Sequence, residues 1–247
     1  MSKKQILTGV VVGQEEVAQG TFVLTLKEPH LARLVKPGHF VNLSLPGRTT
    51  ANLLKRPFCI FGAHQETIQL LYKIKGDVTT SMMALHKGDE VELIGPLGNT
   101  FSHPKNKKIL MVGGGVGIAP LMFLYDRLSE QNEIKILHGV RTRQESMVWA
   151  GHPIQTHVDE EVGKFVCEGI DKLIKQHGIQ HVVSCGPIPM MKQVVEACKA
   201  LNVSVEVSLE ARMACGFGVC LGCVIETHGG YKKVCNDGPV FKGTDLW

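Results

Sequence analysis

The sequence predicts three parts in series: an N-terminal antiparallel β-barrel over residues 1–103, a doubly wound α/β domain over 104–209, and a small C-terminal domain over 210–247. Three observations predict it. Short alternating apolar runs with Pro and Gly punctuation fill the first hundred residues. Strand-then-helix units repeat from Lys107 onward. Four of the eight cysteines crowd the stretch from Cys215 to the end. The 247 residues are 44% hydrophobic and 20% charged, a composition that buries a core without staples.

In the first part, Gln5 to Val12, Thr21 to Leu26, Phe40 to Leu45 and Thr67 to Ile74 read as strands. Pro37-Gly38, Pro46-Gly47 and Gly88-Asp89 mark turns between them, and this regular spacing suggests a small closed barrel. Thr79-Thr80-Ser81 is placed to cap a helix over the apolar stretch Met82 to Leu85. His103 to Lys107 is a polar, Pro-containing linker. Beyond it, Lys108 to Val112, Ile134 to Gly139, Gln155 to Val158, His181 to Ser184 and Val203 to Leu209 read as strands. Ile118 to Ser129, Val166 to His177 and Pro187 to Leu201 read as helices, the alternation expected of a parallel sheet. The tail from Glu210 is dominated by Gly and Cys and is too short to bury a large core alone, so a bound metal centre would supply the missing stability.

Several function classes fall away. The 27 Lys+Arg against 23 Asp+Glu leave +4, too mild to call for a nucleic acid, and 2 Trp, 3 Tyr and 9 Phe make a poor base-stacking platform. No run approaches the ~18 apolar residues of a membrane span, and Met1 to Gln5 leads into alternating sequence, so a cytoplasmic protein is expected. In that reducing compartment cysteines point to metal or redox chemistry. There is no G-x-S-x-G or H-E-x-x-H, and Asp159-Glu160-Glu161 reads as a solvated loop. Cys167 and Cys198 fall in expected helices as packing residues, and Met82-Met83 and Met190-Met191 read as core or helix surface.

Four motifs carry chemistry. Cys215, Cys220, Cys223 and Cys235 form C-x4-C-x2-C-x11-C, the plant-type 2Fe-2S spacing, with Gly216, Gly218 and Gly222 bringing backbone N–H groups close. A four-cysteine zinc site, which more often uses two C-x2-C hooks, is the competing reading, and two disulfides a third. Gly113-Gly114-Gly115-Val116-Gly117-Ile118-Ala119-Pro120 follows a strand and opens a helix, where a pyrophosphate can sit on bare amides. Arg141, Arg143 and Glu145 follow the next strand, so an acidic ribose hook is not obvious and the plain and phosphorylated dinucleotides stay open. Arg56-Pro57-Phe58-Cys59 could pin a phosphate beside a flat ring, with Lys73 adding a cation and Gly76 to Ser81 a helix start. Cys185-Gly186-Pro187 ends a strand at the edge where open α/β sheets bind ligands.

In this order, R-P-x-C, G-G-G-x-G-x-A-P, C-G-P and the cysteine set, the chain resembles the ferredoxin-NADP reductase superfamily with an appended cluster domain. More narrowly, Cys215 to Cys223 and Tyr231-Lys-Lys-Val-Cys235-Asn-Asp237-Gly-Pro-Val-Phe241 look like electron-transfer subunits of class 1B dihydroorotate dehydrogenases. The resemblance implies FAD on the barrel, NAD on the α/β domain and one 2Fe-2S cluster at the C-terminus. It implies flavin contacts at Arg56, Pro57, Phe58 and Cys59, at Leu71, Tyr72 and Lys73, and at Val78 and Thr79. It places the nicotinamide by Gly113, Gly114, Gly115 and Gly117 and by Cys185, Gly186 and Pro187. Two residues depart from that family: Cys59 stands where Ser is usual, and Val78-Thr79 where Gly-Thr is usual. The implied partner is an FMN-containing dihydroorotate dehydrogenase catalytic subunit in a heterotetramer of two of each, in pyrimidine (UMP) biosynthesis. Related scaffolds serve an NADH-dependent ferredoxin:NADP oxidoreductase and a sulfide dehydrogenase. A zinc-stabilised nucleotide-binding regulator is the reading outside redox chemistry.

Overall fold

The computed structural model describes residues 4–47, 54–147, 152–163 and 165–247. The barrel strands are β1 (Gln5–Ala18), β2 (Thr21–Lys27), β3 (Phe40–Ser44), β4 (Arg56–His64), β5 (Thr67–Lys73) and β6 (Glu90–Leu97), closed in the order β1-β2-β5-β4-β3-β6. Their inward residues, among them Leu24, Leu26, Leu43, Ile60, Ile68, Leu70 and Leu93, form one fully buried cluster. Each such side chain contributes roughly 1.5–3 kcal/mol of burial, and closure leaves no free sheet edge to cover.

Two short helices sit in the barrel connections. The first, α1 (Pro29–Leu34), starts where the Glu28 carboxylate accepts the Leu31 N–H and Pro29 presets the first turn. The second, α2 (Asp77–Met82), begins earlier than the sequence predicts. Thr79 lies inside it, and its Oγ1 accepts from the Lys75 and Gly76 N–H groups at 2.9 and 3.1 Å. Met82 ends this helix instead of opening one, because its side chain belongs to the barrel core while Met83 is exposed.

After an irregular connection over 98–107, the second sheet comprises β7 (Lys108–Gly114), β8 (Glu133–Val140), β9 (Ile154–Val158), β10 (His181–Cys185) and β11 (Ser204–Ser208), all parallel where they pair. Helix α3 (Ile118–Leu128) covers one face, where Ile109, Met111 and Val183 meet Ile118, Leu121 and Met122. α3 also reaches the barrel, to whose core it contributes Phe123. The short α4 (Asp159–Val162) follows β9, so the acidic triplet expected in a loop forms one helical turn. Helices α5 (Ile170–His177) and α6 (Ile188–Ala200) cover the other face, meeting Leu110, Val112, Val182 and Val205. α5 starts four residues later than the apolar periodicity suggests, because Gly169 stands at φ 78° and breaks the helical path. Cys167 therefore precedes the helix, buried in a turn, whereas Cys198 lies within α6 as expected.

The tail folds onto both preceding parts. A hairpin of β12 (Val224–Thr227) and β13 (Gly230–Lys233) leads into α7 (Val234–Asp237), then β14 (Val240–Lys242) and α8 (Gly243–Leu246). Strand β14 pairs antiparallel with β11, so the sheet is mixed, in the order β14-β11-β10-β7-β8-β9, where the sequence alone suggests a purely parallel one. Asn99, just beyond β6, clamps this segment to the barrel. It donates to Gly238 O at 2.7 Å from its backbone and to Asp237 O and Val240 O at 3.1 and 2.8 Å from Nδ2, and its Oδ1 accepts from Val240 N at 2.9 Å.

Candidate functional site

A cleft of about 1300 Å³ runs between the barrel and the C-terminal edge of the parallel strands. That exceeds the roughly 300–1,000 Å³ typical of a single small-ligand pocket. The barrel wall carries all nine residues singled out there: Arg56, Pro57, Phe58 and Cys59 on β4, Leu71, Tyr72 and Lys73 on β5, and Val78 and Thr79 on α2. The opposite wall carries Gly114, Gly115, Gly117, Gly186 and Pro187, whereas Gly113 and Cys185 are buried beneath it, paired across β7 and β10. Glu145, Asp159, Glu210, Ala211 and Met213 also line the cleft. No local sequence signal marks Glu210, Ala211 and Met213; tertiary folding brings them there.

The glycine-rich turn is shaped by close approach. A Cβ on Gly117 would stand 2.5 Å from the carbonyl oxygen of Cys185, so no larger residue lets the α3 start meet the β10 end. The turn presents its amides at the head of the eleven-residue α3, where the helix dipole favours anions. A dinucleotide pyrophosphate therefore fits the wall formed by these residues.

On the barrel side the chemistry of several residues is already committed. The Tyr72 ring stacks on Phe22 at 5.5 Å and its hydroxyl donates to Gln14 Oε1 at 2.7 Å, so Tyr72 builds the wall and its hydroxyl hydrogen is already used. Burial, and then the Glu210 carboxylate, push the Cys59 thiol up to about 12, which keeps it a protonated S–H donor facing the cleft. The Val78 side chain is buried and belongs to the barrel core at the edge of the cleft. Lys73, expected as a cation for a ligand, forms an ion pair with Glu145 at 2.6 Å across the cleft. Burial raises the Glu145 carboxyl, but the Lys73 hydrogen bond and charge outweigh it and hold it below the usual range.

The four cysteines lie in two pairs. Cys215 and Cys220 are near neighbours, as are Cys223 and Cys235, whose N–H meets the Cys223 sulfur at 3.4 Å. The N–H groups of Phe217 and Cys220 both reach the Cys215 Sγ at 3.5 Å. Slight burial raises the Cys215 thiol, but these amides and the Cys220 side chain outweigh it and bring it down to about 6, toward the thiolate, the metal-binding form. Burial and the neighbouring Cys223 push the Cys235 thiol up. Gly216, at φ 76°, makes room for Asn42 of β3, whose Nδ2 donates to Cys215 O at 3.1 Å; a Cβ there would fall 2.1 Å from that nitrogen. Among the described residues no group of three His, Cys, Asp or Glu converges as a single metal ion requires. Four cysteine sulfurs in two pairs, with backbone amides aimed at sulfur, fit a two-iron cluster, which these cysteines would hold through their thiolates.

The comparisons with known proteins agree with this geometry. Residues 210–247 match the family described as the iron-sulfur cluster binding domain of dihydroorotate dehydrogenase B. A dihydroorotate dehydrogenase B (NAD(+)) electron transfer subunit of Caldanaerobacter subterraneus subsp. tengcongensis is 37% identical over 92% of this chain and 90% of its own length. The same subunit of Clostridium acetobutylicum is 34% identical over 94% and 93%. A solved NADH-dependent reduced ferredoxin-NADP oxidoreductase, studied for flavin-based electron bifurcation, superposes with TM-score 0.86 at 26% identity, covering 97% of this chain and 89% of that one. Similarity at this level to relatives that share nearly the whole chain, together with the matching cysteine tail, decides between the related scaffolds: the chain belongs to the family of electron transfer subunits of dihydroorotate dehydrogenase B (NAD(+)).

Proposed function

We propose that this oxidoreductase subunit takes electrons at its cysteine loop from an FMN-containing subunit that oxidises dihydroorotate to orotate, and delivers them in pairs to NAD+ in the cleft. Cys215, Cys220, Cys223 and Cys235 hold a 2Fe-2S cluster. Arg56 to Cys59, Leu71 to Lys73, Val78 and Thr79 hold FAD, and Gly114, Gly115, Gly117, Gly186 and Pro187 hold the nicotinamide dinucleotide, with Gly113 and Cys185 supporting them from beneath. The division into a flavin barrel over 1–103, a nucleotide domain over 104–209 and a cluster domain over 210–247 follows these roles, with β14 anchoring the third to the second. When bound, a flavin exchanges electrons singly or in pairs, and so links a one-electron cluster to a two-electron nicotinamide.

The observation that carries this reading is continuity. Glu210, Ala211 and Met213 line the cleft, and Cys215 follows two residues later. The chain's own groups have defined tasks there. The Gly114 to Gly117 amides receive a pyrophosphate, Arg56 offers a guanidinium, and the Cys59 thiol keeps its proton as a donor. On either side of the exposed Cys220, Val219 and Leu221 are 73% and 62% exposed. Apolar side chains left uncovered next to the electron entry suit the docking of the catalytic subunit. In this reading the pair forms a heterotetramer of two of each subunit and works in the cytoplasm in pyrimidine (UMP) synthesis. No helix among the described residues is long and apolar enough to cross a membrane.

The test is the anaerobic visible spectrum of the isolated chain. NADH is expected to bleach a combined flavin and iron–sulfur absorbance, while dihydroorotate bleaches it only after the catalytic subunit is added. Bleaching by dihydroorotate alone, or a colourless protein after reconstitution, would overturn the reading, and the colourless result would favour the zinc-bound regulator.

A further inference from the structure

The cleft continues past the glycine-rich turn along the ends of β8 and β9, where Gly139, Val140, Arg141, Glu145, Asp159 and Phe165 line it. A dinucleotide whose pyrophosphate rests on Gly114 to Gly117 extends its adenosine half over these neighbouring strand ends. NADP differs from NAD there by a 2′-phosphate, which needs an uncompensated cation. Arg141 and Arg143 look like that clamp in the sequence, but the folded chain pairs Arg143 with a carboxylate and sets two more in the field of Arg141.

Arg143 forms a two-point ion pair with Glu161 on α4, its Nε 2.7 Å from Oε1 and its Nη2 on Oε2. The charge of Arg141 acts on two carboxylates that line the cleft with it, Glu145 and Asp159. Its backbone holds them in place: Arg141 N donates to Glu145 Oε2 at 3.4 Å, and Arg141 O accepts from Glu160 N at 3.2 Å, beside Asp159. Lys73, the other cation at this edge, is taken by Glu145. Asp159 Oδ1 is buried with no hydrogen-bond donor among the described residues, and His157 Nε2 stands 3.8 Å away. A ribose hydroxyl satisfies that oxygen, whereas a phosphate meets three carboxylates, Glu145, Asp159 and Glu161, whose charge matches the three cations Lys73, Arg141 and Arg143. Phe165, 61% exposed on the same rim, offers an apolar face to the adenine.

We propose that Asp159, supported by Glu161, sets the preference of this subunit for NAD over NADP: Asp159 accepts from the adenosine ribose hydroxyls, and the two carboxylates withhold Arg141 and Arg143 from a 2′-phosphate. This rests on the nicotinamide cofactor lying over the glycine-rich turn, as proposed above.

The experiment measures kcat/KM for NADH and NADPH with ferricyanide as acceptor, using the full flavin-loaded chain. Asp159→Asn is expected to raise the NADPH-to-NADH ratio at least tenfold, mainly through KM, with an unchanged flavin spectrum. Adding Glu161→Gln should raise it further, and Asp159→Glu should restore the NADH preference. Val116→Trp, which fills the cleft above the turn, separates the two levels. If it removes NADH oxidation while Asp159→Asn shifts the ratio less than twofold, the specificity role fails and the nucleotide site stands. If it leaves NADH oxidation intact, the nucleotide lies elsewhere and both fail.

Discussion

The cleft and the cysteine loop are built in opposite ways. The cleft draws on residues as far apart as Phe40 and Pro239, set on a closed barrel and a buried sheet. The loop gathers its four cysteines within one short stretch, with Cys220 exposed and few cross-chain ties beyond Asn42 and Lys4, whose Nζ reaches Phe217 O at 3.3 Å. A pocket that must hold two flat cofactors in register needs a rigid frame already in place. A loop that wraps a cluster can take its final rigidity from the metal it binds. The difference teaches that damage to one end should stop one half-reaction and spare the other.

The largest effect expected on the cleft side comes from Gly117→Val. With a Cβ 2.5 Å from Cys185 O, it should cut NADH oxidation about 100-fold, or ~2.7 kcal/mol of transition-state binding, while the cluster spectrum remains. Loss of the cluster in this variant would break the comparison. Next is the joint between the two regions. Asn99→Ala strands the Val240 N–H and the carbonyls of Asp237 and Val240, and should cost about 1–3 kcal/mol in chemical denaturation. Its tail should also become more sensitive to protease than its barrel.

The smallest effect belongs to Lys73 and Glu145, which with the Gln19 N–H on Gln144 O at 3.0 Å tie the barrel to the loop after β8. The Glu145 carboxyl titrates lower in the folded chain than in the unfolded one, so its contribution is present above the ordinary carboxylate range and lost as pH falls through the folded value. Glu145→Gln should lose up to ~1 kcal/mol near neutral pH, since the pair is partly exposed, and the deficit should vanish once the pH falls below the ordinary carboxylate range. Urea denaturation of both proteins across pH checks the sign.

Legibility in the sequence followed the same contrast. The cysteine spacing, the glycine-rich turn and the R-P-x-C motif are local patterns, and each is readable because its chemistry depends on neighbours in the chain. The strand β4 that carries R-P-x-C is harder to read as a strand, since a bulge between Ile60 and Gly62 breaks its alternation. Helix α1 was missed because it is six residues long, buries only Leu31 and is capped by Glu28. The three-residue β14 has no periodicity to detect, and only its pairing with β11 makes the sheet mixed. Within the site, the capture of Lys73 by Glu145 and of Arg143 by Glu161 is tertiary, so the charges that looked free in the sequence are paired in the fold. Gly169 offered the one overlooked local signal, a helix stop inside an apolar periodic run.

The central claim is that electrons enter at the cysteine loop and leave at the cleft as separable steps, and Cys220→Ala in the complex with the catalytic subunit tests it most directly. Dihydroorotate-dependent NAD+ reduction should fall at least ~100-fold, the loss of an obligatory step, while NADH oxidation by ferricyanide stays within about twofold of the parent. Equal loss of both activities would contradict the account, because the cysteine loop would then be a structural support of the flavin cleft.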